Sequence, residues 1–288
     1  MAQAAAAPRP IVAAPSTRWA RARRSRTLGF GVALLALIVA AAAAAPLLTP
    51  YDPSAIDLEH TFAGPSRAHP LGTDNFGRDL FARLLYGARL DLMIGVFATA
   101  VTLVVGSAVG LAAGYYGGRL DRLVMRIVDI VVAFPFFVLV IGLVAMLGAG
   151  LRNMFIAVWL VGWVSYARIV RGETLAVRTR EYVAAARVIG ASDREILLRH
   201  VLPNVITPAI IFSMSDVVLN ILLGSSLSFL GLGAQPPAPE WGLMIAEGRT
   251  FLATAWWMSA LPGLAIVATG VAFSLLGDGL ADVLRPGG

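Results

Sequence analysis

The feature that most limits the fold of this chain is a set of apolar runs as long as a membrane is thick. The first, from Leu28 to Leu48, is an unbroken run of 21 residues, and a transmembrane helix needs about 20 apolar residues. Hydrophobic residues make up 58% of the 288 residues and charged residues only 14%. This composition is too apolar for an ordinary soluble domain and predicts an all-α, polytopic membrane protein.

Six transmembrane helices are predicted from these runs. A cleaved signal peptide is the competing interpretation of the first run, because basic residues precede an alanine-rich core. The length of that run and the presence of later spans favour a membrane helix. The other five spans are predicted at about residues 92–116, 123–147, 154–170, 205–232 and 256–277.

The segments outside the spans differ in character. The predicted units of the chain are residues 1–27, 28–48, 49–91 and 92–288. The first is Ala/Pro-rich and then basic, which predicts a disordered cytoplasmic tail. The third is an external loop that ends in an amphipathic helix lying on the membrane surface, where Asp79 and Arg83 are spaced to pair. The last holds five spans and the charged segment 171–204.

Three glycines recur at every fourth residue of the second predicted span, at Gly106, Gly110 and Gly114. This spacing puts a flat strip on one face of the helix, where a second helix can approach closely. A glycine-rich span without a particular partner is the alternative.

Arginine predicts the orientation of the chain, because cytoplasmic loops of membrane proteins are enriched in basic residues. All 23 basic residues are Arg. With the N-terminus inside, 17 of them fall in cytoplasmic segments and 6 in external loops. Both termini and the segment 171–204 are therefore predicted to be cytoplasmic. The same bias explains the net charge of +6 without nucleic acid as a partner.

Missing residue types exclude several kinds of chemistry. There is no Lys in the chain, so the phosphate-binding loop G-x-x-x-x-G-K-[ST] cannot be present. If the protein uses ATP, another chain must hydrolyse it. There is no Cys, which excludes a disulfide framework and a thiolate metal site. His60, His69 and His200 are scattered and form no H-E-x-x-H motif, so no metal site is expected.

The charged segment 171–204 is predicted to form two helices at the cytoplasmic surface. Thr174 to Ile189 is rich in good helix formers, and Gly190 is placed to end that helix. Ser192 to Glu195 has the spacing of a capping box, which starts a second helix, and Pro203 is expected to stop it. A stiff, bent lever of this kind could pass motion from a soluble partner to the membrane helices. A merely solvated loop is the alternative.

Ionisable and polar residues within the spans are candidates for function. Ser213, Asp216 and Asn220 lie on one face of the fifth span, where they either line a pathway or a partner surface, or form hydrogen bonds between helices. Asp129 is expected to pair with Arg122 or Arg126. An intramembrane aspartyl protease built on paired carboxylates and a stand-alone channel or carrier are functions of other classes. Only the presence of acidic residues within spans favours the protease.

The stretch from Glu181 to Asn204 resembles the cytoplasmic EAA loop of bacterial ABC importer permeases. The family pattern is E-A-A, three residues, Gly, nine residues, an apolar residue, any residue, and Leu-Pro. The matching positions are Ala184, Ala185, Ala186, Gly190, His200, Leu202 and Pro203. Ala184 stands where the family has Glu, and His200 stands where it has an apolar residue. Glu181, one turn earlier, is the candidate for the missing charge.

Four further stretches resemble the dipeptide/oligopeptide/nickel branch of this family, at residues 71–79, 86–92, 126–135 and 229–242. The position of the first span and the long loop after it resemble the C-type subunit. The resemblance implies a type I ABC importer permease fold in the bacterial inner (plasma) membrane. It also implies a pore shared with a B-type permease, two ABC ATPase subunits that bind ATP and Mg²⁺, and an external substrate-binding protein. No cofactor and no catalytic residue are expected in this chain.

Roles for particular residues also follow from the resemblance. The residues expected to couple to the ATPases are Glu181, Ala184, Ala185, Ala186, Arg187, Gly190, Ser192, Asp193, Leu202 and Pro203. The residues expected to contact the external binding protein are Asp74, Arg78 and Asp79. Dipeptides or oligopeptides are the expected substrates, with nickel, glutathione, opines or haem as alternatives.

Overall fold

The described part of the chain is built from helices and turns. The computed structural model describes residues 25–284, and within them a single bridge between Thr73 and Asp79 is the only β-type pairing. The all-α prediction is confirmed. Of the predicted tail, residues 1–24 lie outside the described range, and Ser25 caps the first helix by accepting a hydrogen bond from the Leu28 amide at 3.2 Å.

The helices of the first half differ from the sequence prediction in length and continuity. Their bounds are α1 Arg26–Ala43, α2 Ala45–Leu48, a 3₁₀ turn at Leu58–His60, and α3 Leu80–Tyr116. α3 has 37 residues, which is about 55 Å at 1.5 Å per residue. The separate surface helix predicted before residue 92 is therefore wrong. Its apolar face is covered by protein, since the indole of Trp241 packs on Gly87 and donates to the Leu84 carbonyl at 3.1 Å.

The third predicted span is bent. It comprises α4 Gly118–Val132 and α5 Phe136–Leu147, which meet at an angle of 87°. Pro135 lies at the bend, where it has no amide hydrogen to continue the helical ladder. α6 follows at Leu151–Val177.

The second half contains the charged segment and two further long helices. The bounds are α7 Glu181–Val188, α8 Asp193–Glu195, a π-helical turn Ile196–Val201, α9 Leu202–Phe229, α10 Trp241–Gly248, a 3₁₀ turn Arg249–Phe251 and α11 Trp257–Leu284. The single helix predicted for 174–189 is divided by a turn at residues 178–180.

Pro203 does not end a helix, contrary to prediction, because the chain is helical without a break from Asp193 to Phe229. Pro203 falls in the first turn of α9, where a missing amide hydrogen is tolerated. The turn before it widens to π-helical geometry, an irregularity that often occurs at functional sites.

Within residues 25–284, five helices are long and apolar enough to cross a membrane: α1, α3, α6, the run Asp193–Phe229 and α11. The bent pair α4–α5 gives a sixth span if it is counted as one crossing. The six-span prediction agrees with the structure on that count.

α3 and α6 are packed along the glycine strip. A Cβ atom on Gly106 or Gly110 would overlap the backbone of Trp163 or Ala167, and one on Gly114 would lie 2.7 Å from the Thr174 Cβ. The prediction that a helix approaches this strip closely is confirmed, and α6 is that helix. Small residues allow such contact between membrane helices, where dispersion replaces the hydrophobic effect as the attraction.

Contacts between helix ends place both ends of the described chain at the same end of the bundle. The start of α1 packs against the end of α11, because a Cβ on Gly279 would lie 2.6 Å from the Leu28 Cα. The charged segment is at this end, where Arg178 donates to the Gly114 carbonyl at 2.9 Å. At the opposite end, the Trp257 indole donates to the Thr73 carbonyl at 3.3 Å.

Gly110→Ala is expected to destabilise the bundle, because the added methyl group must separate α3 from the α6 backbone. Overpacking of this kind costs about 1–3 kcal/mol. The midpoint of thermal unfolding in detergent, followed by tryptophan fluorescence, should fall. Gly142→Ala is the matched control, since a Cβ there meets no atom within 4 Å. An equal or raised midpoint for Gly110→Ala would contradict close packing at this position.

Candidate functional site

The turn after α7 has the hydrogen bonds of a Schellman motif. The Gly190 amide donates to the Arg187 carbonyl and the Ala191 amide to the Ala186 carbonyl, both at 3.0 Å. Gly190 has a φ of 86°, a left-handed conformation that a residue without a side chain adopts easily. The predicted glycine cap is confirmed.

α7 has a buried face and an exposed tip. Val183 and Ala186 are buried against α3, α6 and α9, in a cluster that includes Tyr166 and Val205. The last residues before the turn point outward: Val188 is 87% exposed and Ile189 is 82% exposed. These two neighbouring side chains form an exposed apolar patch at the helix end, and exposed apolar patches mark surfaces that bind other proteins.

The second helix of the segment starts as predicted and is anchored to α3. The Ser192 hydroxyl accepts a hydrogen bond from the Glu195 amide at 3.3 Å. Asp193 accepts a hydrogen bond from the Tyr115 hydroxyl at 2.7 Å, and the Arg187 guanidinium lies 5.3 Å from the centre of the Tyr115 ring. The two sides of the turn are therefore held on the last turn of α3.

The residues predicted to couple to a partner fall into two groups. The exposed ones are Glu181, Ala184, Ala185, Arg187, Gly190, Ser192, Asp193 and Pro203. Ala186 is buried and Leu202 is partly buried, so these two serve packing within the chain. Val188 and Ile189 were not predicted as contact residues. The sequence does contain a signal for them, because they are two aliphatic residues next to a predicted glycine cap in a solvent-exposed segment.

The polar strip of α9 forms hydrogen bonds to other helices of the same chain. Asp216 accepts from the Tyr166 hydroxyl of α6 at 2.8 Å, and Asn220 donates to the Thr99 hydroxyl of α3 at 2.9 Å. Ser213 donates to the carbonyl one turn earlier, at 2.7 Å. Of the two predicted roles, the geometry favours hydrogen bonds between helices for Asp216 and Asn220.

The loop at residues 49–79, which is predicted to be external and is called the outer loop, is held by a buried cluster of charges. Arg78 binds Asp74 at 2.6 Å and Glu247 at 2.7 Å, and Arg83 binds the same Glu247 oxygen at 3.0 Å. Asp74 and Arg78 are only 2% and 3% exposed, and Arg83 is fully buried. The cluster joins the loop, α3 and α10.

Asp79 is equally enclosed. It is 3% exposed, caps α3 through the Ala82 amide at 2.6 Å, and binds the His69 ring at 2.9 Å. The predicted pairing of Asp79 with Arg83 is therefore wrong. The expected contact of Asp74, Arg78 and Asp79 with an external protein conflicts with their burial, because every charge is satisfied inside the chain.

Two ion pairs join α4 to α6. Arg171 binds both carboxylate oxygens of Asp121, the second at 2.7 Å. Arg168 binds Asp129 at 3.0 Å, so the predicted pairing of Asp129 with Arg122 or Arg126 is wrong. The sequence could not reveal this partner, which lies 39 residues away on another helix.

A buried pair of carboxylates, near the end of the bundle that holds the outer loop, was also not predicted from the sequence. Asp91 and Glu240 are fully buried, and the Ser225 hydroxyl lies 3.5 Å from one and 3.2 Å from the other. Glu240 caps α10 through the Gly242 and Leu243 amides. Within residues 25–284, no group of three or more metal-binding side chains occurs.

Comparison with known proteins gives one family for most of the chain. Residues 106–287 match the family described as binding-protein-dependent transport system inner membrane component. Residues 16–65 match the N-terminal TM domain of oligopeptide transport permease C. The glutathione transport system permease protein GsiD of Pectobacterium atrosepticum is 43% identical over 269 residues, which cover 93% of this chain and 89% of that protein. A protein of Brucella suis biovar 1 named for peptide transport system permease activity is 42% identical over 266 residues, covering 92% and 90%.

Glu247→Gln is expected to loosen the outer loop, because two buried guanidinium groups lose the carboxylate that they share. Removing one partner of a buried ion pair costs about 3–5 kcal/mol. The thermal midpoint should fall, and limited proteolysis should cut residues 49–79 faster. Glu59→Gln removes an exposed carboxylate of the same loop and serves as the control. Equal proteolysis of the two variants would show that the charge cluster does not hold the loop.

Proposed function

Because the chain belongs to the family of inner membrane components of binding-protein-dependent transport systems, we propose that it forms half of the pore of an ATP-driven importer of peptides. It is a permease subunit of an ABC importer and not an enzyme. A second permease, ATPases and a substrate-binding protein belong to such a system. We also propose that the second permease is a B-type subunit and that two ATPase subunits bind ATP and Mg²⁺.

The observation that carries the proposal is the exposed tip of α7 beside a rigid turn. Val188 and Ile189 project from the end of the bundle, and Gly190 and Tyr115 fix the turn behind them. An ATPase groove that receives this tip would bury both side chains. The turn would then move with the ATPase as it binds and hydrolyses ATP.

Orientation is proposed from charge. The segment 171–204 lies at the same end of the bundle as the start of α1 and the end of α11, and the excess of Arg supports a cytoplasmic location for that end. The chain is thus a multi-pass protein of the bacterial inner membrane with both termini cytoplasmic. The loop 49–79 and α10 face outward, where a binding protein would deliver substrate.

Motion of the turn has two direct routes into the membrane. The helix that begins at Asp193 continues through the π-helical turn into α9 without a hinge. Asp193 also holds Tyr115 at the end of α3. A push on the α7 tip would therefore shift α9 relative to α3 and α6, across the hydrogen bonds made by Asp216 and Asn220.

Peptides are proposed as the substrate because relatives are named for peptide and for glutathione transport, and glutathione is itself a small peptide. Nickel, haem and opines remain the alternatives. A stand-alone channel or carrier is the alternative of another class, and it needs no exposed docking tip.

Reconstitution tests the proposal directly. The chain, co-expressed with its partner permease, ATPases and binding protein, should co-purify with two ATPase chains. Proteoliposomes of the complex should take up glutathione or trialanine only when ATP is present. Uptake by the chain alone, or uptake without ATP, would establish a channel or carrier instead.

Gly190→Val is expected to uncouple ATP hydrolysis from uptake, since a β-branched residue is strained at a φ of 86°. The variant should still insert into the membrane, and uptake should fall at least about tenfold, the effect of roughly 1.4 kcal/mol. Gly172→Val is the control, because Gly172 is helical and a Cβ there meets no atom within 4 Å. Wild-type uptake by Gly190→Val would count against the lever.

A further inference from the structure

α4 carries a cationic face that the coupling mechanism does not use. Arg122 and Arg126 lie one helical turn apart, and both are exposed. Neither has an ion-pair partner among residues 25–284, where the two acidic residues of α4 are bound by α6: Asp121 by Arg171 and Asp129 by Arg168. Positive charge is therefore in excess on this face.

A cavity of about 720 Å³ adjoins these arginines, next to the Pro135 bend. Its lining residues are Arg122, Met125, Arg126, Asp129, Ile130 and Ala133. All of these residues lie on one face of α4, so the cavity is an open groove on this subunit and not an enclosed pocket.

We expect this cavity to contain water and not lipid. Charged side chains on membrane-spanning elements face the bundle interior or a water-filled space. Enrichment of Arg at the cytoplasmic end accounts for the presence of Arg119, Arg122 and Arg126 in this part of the chain, and all three are among the 17 arginines counted there. It does not account for the ion pair of Asp129 with Arg168, which lies deeper and remains 72% and 52% exposed. An importer with a second permease provides such a space between its two halves.

We propose that Arg122 and Arg126 bind the carboxylate of the substrate on its way to the cytoplasm. The guanidinium fork matches a carboxylate through two parallel hydrogen bonds. This proposal rests on the proposed function and narrows it to substrates that carry a carboxylate, such as peptides and glutathione. A free divalent metal ion would be repelled by the same face.

The first test uses the complete transporter in proteoliposomes, with glutathione and trialanine as probes. The double variant Arg122→Gln/Arg126→Gln should reduce uptake per ATP hydrolysed about tenfold, while hydrolysis stimulated by the binding protein stays at the wild-type rate. Arg119→Gln removes a cation from the same helix outside the cavity and should behave as wild type. Arg122→Lys/Arg126→Lys keeps the charge and should recover part of the uptake.

Three outcomes of this test overturn the proposal. Unchanged uptake by the double Gln variant would overturn the proposed role of the two arginines and would leave the importer function intact. A parallel fall of hydrolysis and uptake would make the arginines structural. Failure of the wild-type complex to take up either probe would reject the proposed function, and this inference with it.

A second test determines whether the cavity is accessible to water. Because the chain has no cysteine, Ala133→Cys gives a single thiol in the cavity wall. A water-soluble maleimide should label it in the assembled complex, and trialanine delivered by the binding protein should slow the labelling. Labelling only by a lipid-soluble maleimide would place this face against the bilayer and overturn the proposal.

Discussion

The close approach of α3 and α6 is the constraint on which the rest of the bundle depends. Helices in a membrane gain little from burying apolar surface, so close contact between small residues must hold them together. The strip Gly106, Gly110 and Gly114 supplies that contact. It fixes Tyr115 at the end of α3, where Asp193 binds, and Tyr166 on α6, where Asp216 of α9 binds.

Charge is used differently at the two ends of this bundle. At the outer end, Arg78, Arg83, Asp74 and Glu247 are enclosed and satisfy one another, which joins the loop to α3 and α10 as one rigid unit. At the other end, the ion pairs of α4 with α6 are partly or largely exposed to solvent. Exposed pairs contribute little stability, about 0–1 kcal/mol. The largely exposed pair of Arg168 with Asp129 can therefore open more readily than the enclosed outer cluster.

Sequence reasoning succeeded where a single residue type decides the local structure. Apolar length identified the spans, Gly190 the turn, and Ser192 the start of α8. It failed where the answer depends on what lies opposite in space. The amphipathic start of α3 has the pattern of a surface helix, because the residue that covers it, Trp241, is about 150 residues away in the sequence. The spacing of Asp79 and Arg83 predicts an ion pair, but Asp79 binds His69 and Arg83 binds Glu247. Charged residues of the outer loop looked like docking residues, since a sequence does not reveal burial.

Pro203 bears most directly on how motion would pass from the segment 171–204 into α9. A proline that ended the helix would have left a flexible joint between the turn and α9, and motion of the turn would have been absorbed there. The first turn of a helix tolerates proline, and the π-helical turn before it keeps the chain helical from Asp193 onward. The turn and α9 therefore move as one body. Since α3 and α6 are held together by glycine contacts, the hydrogen bonds of Asp216 and Asn220 are among the polar links that α9 would have to strain or exchange if it moved.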